Sequence, residues 1–153
     1  MRTFELNIFI DRPRNEVYYH VSEPINMIGL QPLLTTIDIL KEQKGAGGVV
    51  LRPFYTMETF RWAGLPIWRN RVYSVIHLTR PGEELEFHVF RKPGINIVYR
   101  YFFNESDQGN RTHLIQRVNF EKVSKLLENL AFDQAIKAQR ALLTNLKVRL
   151  EKK

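Results

Sequence analysis

The chain opens on an alternation: Phe4, Leu6, Ile8 and Ile10 are apolar, with Glu5 and Asn7 between them. A period of two over residues 3–10 predicts a strand with those four side chains inward. The run Asp11-Arg-Pro-Arg-Asn-Glu-Val then predicts a short helix, with an acidic cap near Asp11 and a proline in the first turn. Val17 and Val21 lie four apart on one face of it. Ser22-Glu-Pro breaks that helix, and residues 24–30 predict a second short turn carrying Ile25 and Ile28, ended by Pro32.

The chain from there to Glu121 is strand-rich. Strands are expected over 35–40, 49–62, 67–79, 85–90, 95–103 and 112–120. Their connections carry turn chemistry: Lys44-Gly-Ala-Gly-Gly, Ala63-Gly-Leu-Pro, Arg80-Pro-Gly-Glu, Lys92-Pro-Gly and the polar loop 104–110. Pro53 is expected to interrupt the long strand or to mark it as an edge. Short turns between successive strands make an antiparallel meander. An amphipathic helix near 122–153 closes the chain. It carries two apolar stripes, one of Val123, Leu126, Leu127 and Leu130, the other running from Phe132 through Ile136, Leu143 and Leu146 to Leu150. At about 100° per residue these lie half a turn apart. The economical solution is a kink or break near Asn129, with the first segment as a lip. One helix across one curved sheet encloses a space, which points to a container for an apolar ligand.

With 153 residues the chain fits one domain, 1–153. Its 44% hydrophobic and 25% charged residues are ordinary for a soluble globular protein. The absence of cysteine excludes disulfides, thiolate metal sites and thiol nucleophiles. The start lacks the apolar core of a signal peptide, and no apolar run approaches the roughly 18–20 residues of a membrane span, so a cytoplasmic location is expected. The net charge of +7 attracts phosphates, anionic membranes and acidic ligands, although solubility alone explains such a charge.

Alternation also assigns the inner sheet face. In 67–79 the more apolar set is Trp68, Asn70, Val72, Ser74, Ile76 and Leu78, leaving Arg69, Arg71 and His77 outside. The inner sets that follow are Leu85, Phe87 and Val89, then Ile97, Tyr99, Tyr101 and Phe103, then Leu114, Gln116, Val118 and Phe120. In 49–62 the phase is ambiguous: Phe54, Glu58, Phe60 and Trp62 share one face, Tyr55 and Met57 the other. The candidate ligand-binding residues are therefore Phe60, Trp62, Trp68, Asn70, Phe87, Tyr99, Tyr101, Phe103 and Gln116. Buried polar groups need partners, which a ligand, each other, the tyrosine hydroxyls or trapped water can supply.

Catalysis has thinner support. The histidines His20, His77, His88 and His113 show no metal-ligand spacing, so neither a metal nor another cofactor is expected. Ser22 and Ser74 have no evident base. A cyclase needs a general acid or base, and Glu58 is the one inward candidate. A third reading places Arg61, Arg69, Arg71, Arg100 and Arg117 on the outer face with Tyr73 and Phe102, as a surface for RNA, ribosome or anionic membrane. Glu5, Asp38 and Glu86 share that face and dilute its charge.

Several short motifs in this order resemble the START-like superfamily, in the branch labelled polyketide cyclase/dehydratase and lipid transport. They are Phe4-x-Leu6-x-Ile8, Arg12-Pro13-x-x-Glu16-Val17-Tyr18, Val21-Ser22-Glu23-Pro24, Gly45-x-Gly47, Thr112-x-Leu114, Val118-x-Phe120-Glu121 and Leu143-x-x-Leu146-Lys147-x-x-Leu150-Glu151. The resemblance covers nearly the whole chain. It implies an α+β helix-grip fold: a seven-stranded antiparallel sheet wrapped around a C-terminal helix, with two short helices after the first strand. It also implies a hydrophobic small molecule as partner, a lipid, polyketide or isoprenoid-like compound, or a cyclase or dehydratase acting on one.

Overall fold

In the computed structural model, residues 2–31, 34–63, 65–91 and 94–152 are described, with the side chains of 60–62 and 66–68 outside that description. The opening alternation becomes β1 (Arg2–Ile10), whose even residues turn inward. Helix α1 (Arg14–Ser22) follows, burying Val17, Tyr18 and Val21. Its N-cap is Pro13, with no side-chain cap. Asp11 pairs instead with Arg111 at 2.8 Å, so the expected acidic cap does not form. A 3₁₀ turn over Pro24–Met27 buries Pro24 and Met27, while Ile25 points outward.

The strands are β2 (Leu34–Ile39), β3 (Gln43–Lys44), β4 (Val50–Trp62), β5 (Leu65–Arg80), β6 (Glu84–Arg91), β7 (Ile95–Ser106) and β8 (Arg111–Lys122). With β1 they form, among the described residues, one antiparallel sheet of 8 strands, ordered β1-β8-β7-β6-β5-β4-β2, with β3 also on β4. The eighth strand is β3, a two-residue pairing at the start of the expected glycine turn. The long helix α2 (Glu128–Glu151) completes an α+β fold.

Pro53 does not interrupt β4. Its carbonyl accepts the Leu40 amide at 3.1 Å, on the side away from β5. In a strand the N–H and C=O of one residue face the same way. The missing donor therefore faces the gap where β4 changes edge partner, from β3 at Leu51 to β2 at Phe54. The phase of β4 is settled by burial: Phe54, Thr56 and Glu58 are buried, while Tyr55 and Met57 are half-buried on the other face.

Helix α2 begins at Glu128, six residues later than expected. The segment before it is a turn, not a helical lip. Val123 packs on the core, but Leu126 is 92% exposed and Leu130 also points outward. The second stripe is the buried one: Phe132, Leu143, Leu146 and Leu150, with Gln139 and Leu142 among them. Phe132 meets Phe4 and Phe120 with ring centroids 5.3 and 5.6 Å away. The last two turns are tied by polar bonds. Asn145 donates to the Leu30 carbonyl, Lys147 to that of Phe9, and Arg149 to those of Asn26 and Ile28. Arg12 donates to the Leu150 carbonyl at 2.9 Å, satisfying one of the orphan groups of a helix end.

Candidate ligand cavity

The inner face of β4 to β7 and the flank of α2 do not meet everywhere. Between them lies a cavity walled by Phe54, Thr56, Val72, Ser74, Phe87, Val89, Arg91, Tyr99 and Tyr101 from the sheet and by Gln139 and Leu142 from α2. Met27, Gln31 and Leu34 close one side. Its volume is about 50 Å³, room for about four waters at roughly 10–15 Å³ each. A ligand larger than that must part the walls. A roomier groove beside α1, lined by Arg12, Glu16, Tyr19 and His20, is a shallow surface feature with a more polar lining.

Two polar groupings interrupt the apolar walls. At one end Arg91 Nη2 stands 3.0 Å from Glu58 Oε2. The Glu58 side chain is 1% exposed, and neither of its oxygens has a well-aligned hydrogen bond, nor has Arg91 Nε. Arg91 lines the cavity and Glu58 lies behind it. Further in, Gln116 Nε2 donates to the Tyr101 hydroxyl at 2.8 Å and to Gln139 Oε1 at 2.7 Å. Burial pushes the Tyr101 hydroxyl pKa up strongly, against a smaller opposite pull from Gln116. Burial also raises that of Tyr99, with the Arg91 charge lowering it and Glu58 raising it. Both tyrosines are therefore neutral donors at ordinary pH.

Of the residues expected from sequence, Phe87, Tyr99 and Tyr101 line this cavity. Phe103 is buried elsewhere, edge-on to Tyr18 with ring centroids 5.1 Å apart. Gln116 is fully buried behind Tyr101 and reaches the cavity only through its neighbours. Asn70 is half-buried opposite Glu58, beyond the cavity walls. The side chains of Phe60, Trp62 and Trp68 lie outside the described residues. On the outer face, Arg71 pairs with Asp38, Arg100 with Glu86 and Arg117 with Glu5. Among the described residues there is no cluster of three metal-ligating side chains, and no helix is long and apolar enough to cross a membrane.

No family model matches the chain, and no curated protein matches its sequence. Solved structures do match. A START superfamily protein from Mycobacterium smegmatis superposes with a TM-score of 0.72 at 12% identity, over 98% of this chain and 97% of the other. The ZhuI aromatase/cyclase from a Streptomyces species gives 0.68 at 15% identity, over 97% and 95%. The di-domain aromatase/cyclase BexL gives 0.68 at 21%, with 99% of this chain matching 47% of that one.

The fold is START-like. Two of the polar residues that line the cavity, Arg91 and Gln139, fit the expected strand and helix patterns but were not singled out there. Arg91 continues the inward set of Leu85, Phe87 and Val89 one step past the expected strand end. Gln139 sits between Ile136 and Leu142 on the buried stripe of α2, where every neighbour on that face is apolar. A polar residue centred on an apolar stripe was the available signal.

Proposed function

We propose that this START-like protein binds an apolar small molecule, a lipid, polyketide or isoprenoid-like compound, between the sheet and α2, in the cytoplasm. The observation that supports this is the cavity itself: a mostly apolar space with a few polar groups, among them Arg91, paired with Glu58, and Tyr101 and Gln139, bonded to Gln116. The driving force is burial. At about 25 cal/mol per Å², covering 300 Å² of apolar surface yields on the order of 7 kcal/mol before ordering costs. Native mass spectrometry of protein purified from its own host, then denaturing extraction, tests it. A retained stoichiometric apolar compound is the expected result. Failure of any apolar compound to bind, retained or added, would overturn it.

A second reading is a cyclase or dehydratase with Glu58 as acid-base residue. It is favoured by the buried Glu58–Arg91 pair beside the cavity and by two similar folds that are aromatase/cyclases. On that reading Glu58→Gln abolishes turnover and spares binding; unchanged turnover would reject it.

A further inference from the structure

Three backbone carbonyls between α1 and β2 are taken by the end of α2. Arg149 donates through Nη1 to the Asn26 carbonyl and through Nη2 to that of Ile28, the latter at 2.7 Å. Asn145, one turn earlier, donates to the Leu30 carbonyl at 2.9 Å. Arg149 Nη1 also donates to His20 Nε2 at 3.2 Å. The three carbonyls belong to alternate residues of a stretch that turns at Gly29, where φ is +88°. A Cβ on Gly29 would lie 2.9 Å from Arg149 Nη2. The absent side chain therefore lets the guanidinium come this close to the backbone.

The same stretch walls the cavity. Met27 and Gln31 are its contributions, and the other lining residues belong to the sheet or to α2. The strands are bonded to their neighbours, and α2 packs its apolar stripe on the core. Residues 24–31 have a 3₁₀ turn over Pro24–Met27 and an isolated bridge between Ile28 and Gln31. A segment with so few backbone bonds of its own opens at lower free energy than a strand or a long helix. The cavity has room for about four waters, too little for a lipid, polyketide or isoprenoid-like compound, so a wall must move to admit one.

We propose that residues 24–31 are the wall that moves, and that Arg149 and Asn145 clasp it shut, so that the end of α2 sets how fast a ligand enters and leaves. This rests on the cavity-binding reading above and adds the control of access to that site. Two of the three bonds come from a guanidinium and are of the stronger, charge-assisted kind. Opening uncovers Met27, which is 4% exposed, and Leu30, which is 0% exposed, so the closed form is the resting one. The far end of the stretch stays anchored, because Arg52 on β4 holds the Ser22 carbonyl and the Glu23 carboxylate.

The test uses the whole chain as wild type, Arg149→Met and a control, Lys147→Met. Lys147 also ties α2 to the rest of the fold, but through the Phe9 carbonyl. Hydrogen exchange is followed at the amides of Asn26, Ile28 and Leu30, each bonded within the stretch or to its edge. Arg149→Met should speed exchange there at least about tenfold, the effect of losing two such bonds, with β7 and β8 unchanged. Lys147→Met should leave these three amides as in wild type. Entry is followed by stopped-flow fluorescence with N-phenyl-1-naphthylamine, a neutral apolar probe. Its binding rate should level off with concentration in wild type, and the plateau should rise at least about tenfold in Arg149→Met. Unchanged exchange in Arg149→Met, or equal acceleration in Lys147→Met, would overturn the clasp and leave the cavity reading standing. Faster exchange with an unchanged entry rate would overturn residues 24–31 as the moving wall. A probe that binds neither wild type nor Arg149→Met would overturn the inference, since release of the clasp would then admit nothing apolar. If Arg149→Met does not fold, Arg149→Lys keeps the charge but loses the two-pronged reach, and the same outcomes apply to it.

Discussion

Gln116 on the sheet and Gln139 on the helix are joined by a 2.7 Å hydrogen bond in the middle of an otherwise apolar interface. Replacing Gln116 by Met keeps the volume but leaves the Gln139 oxygen without its donor. We expect a loss of about 1–3 kcal/mol, the cost of orphaning a buried polar partner. Replacing Gln139 by Leu as well should recover part of that loss. Urea denaturation of the two single variants and the double variant measures the coupling directly.

Arg91→Met removes the ion-pair partner of a carboxylate that is 1% exposed. Breaking such a pair from one side costs about 3–5 kcal/mol when both partners are buried. Arg91 is 27% exposed, so the lower end of that range is expected. Adding Glu58→Met should restore most of the stability, because no buried charge then remains. The urea midpoints of the three variants, at unchanged slope, decide it.

His77 lies on the outer face with its ring centroid 3.9 Å from that of His88. Burial lowers its pKa from the ordinary 6.5, the His88 charge lowers it further, and Glu86 pulls it partly back. The folded chain thus holds this proton less tightly than the unfolded chain does. The His77 contribution is complete above pH 6.5, is lost as the pH falls below it, and levels off below the lowered folded value. A stability profile from about pH 8 to pH 5 should show this slope in wild type and a shallower one in His77→Gln. Identical profiles would contradict it.

Ser74 is buried and faces the cavity from β5. Ser74→Leu places a larger apolar side chain in that space. We expect the affinity for an apolar compound that the wild-type protein binds to fall by at least about tenfold, the loss of more than 1.4 kcal/mol. Thermal stability should stay within about 2 kcal/mol of wild type, since the added volume meets a void. Unchanged binding would place the ligand elsewhere.

The strands were legible wherever one face is buried and the other wet. β1, β7 and β8 carry their alternation openly, so their inner sets follow from a period of two. β4 was ambiguous because both of its faces carry large side chains: Tyr55 packs on Tyr73 and under Arg71 on the outside, while Phe54 meets Phe87 within. The start of α2 was misplaced because Leu126 and Leu130 have helical spacing but no surface to cover, and periodicity does not report the presence of a partner. β3 was invisible because two exposed residues carry no pattern. The cavity could be expected from element order. Tyr99, Tyr101 and Gln116 could be read from strand alternation, but the Gln116–Gln139 bond could not, since it joins two residues whose proximity depends on how the helix lies across the sheet.

The bond from Arg12 to the Leu150 carbonyl spans 138 residues of sequence, and β1 pairs along its whole length with β8. The first strand therefore has no partner until the last elements exist. At about 5–20 residues per second, synthesis leaves its apolar row waiting on the order of ten seconds. During that interval Phe4, Leu6 and Ile8 form an uncovered strand, the kind of surface that chaperones bind and that neighbouring nascent chains can pair with. Closure of the cavity is thus a late event in the birth of each molecule, after the central strands have had time to pair.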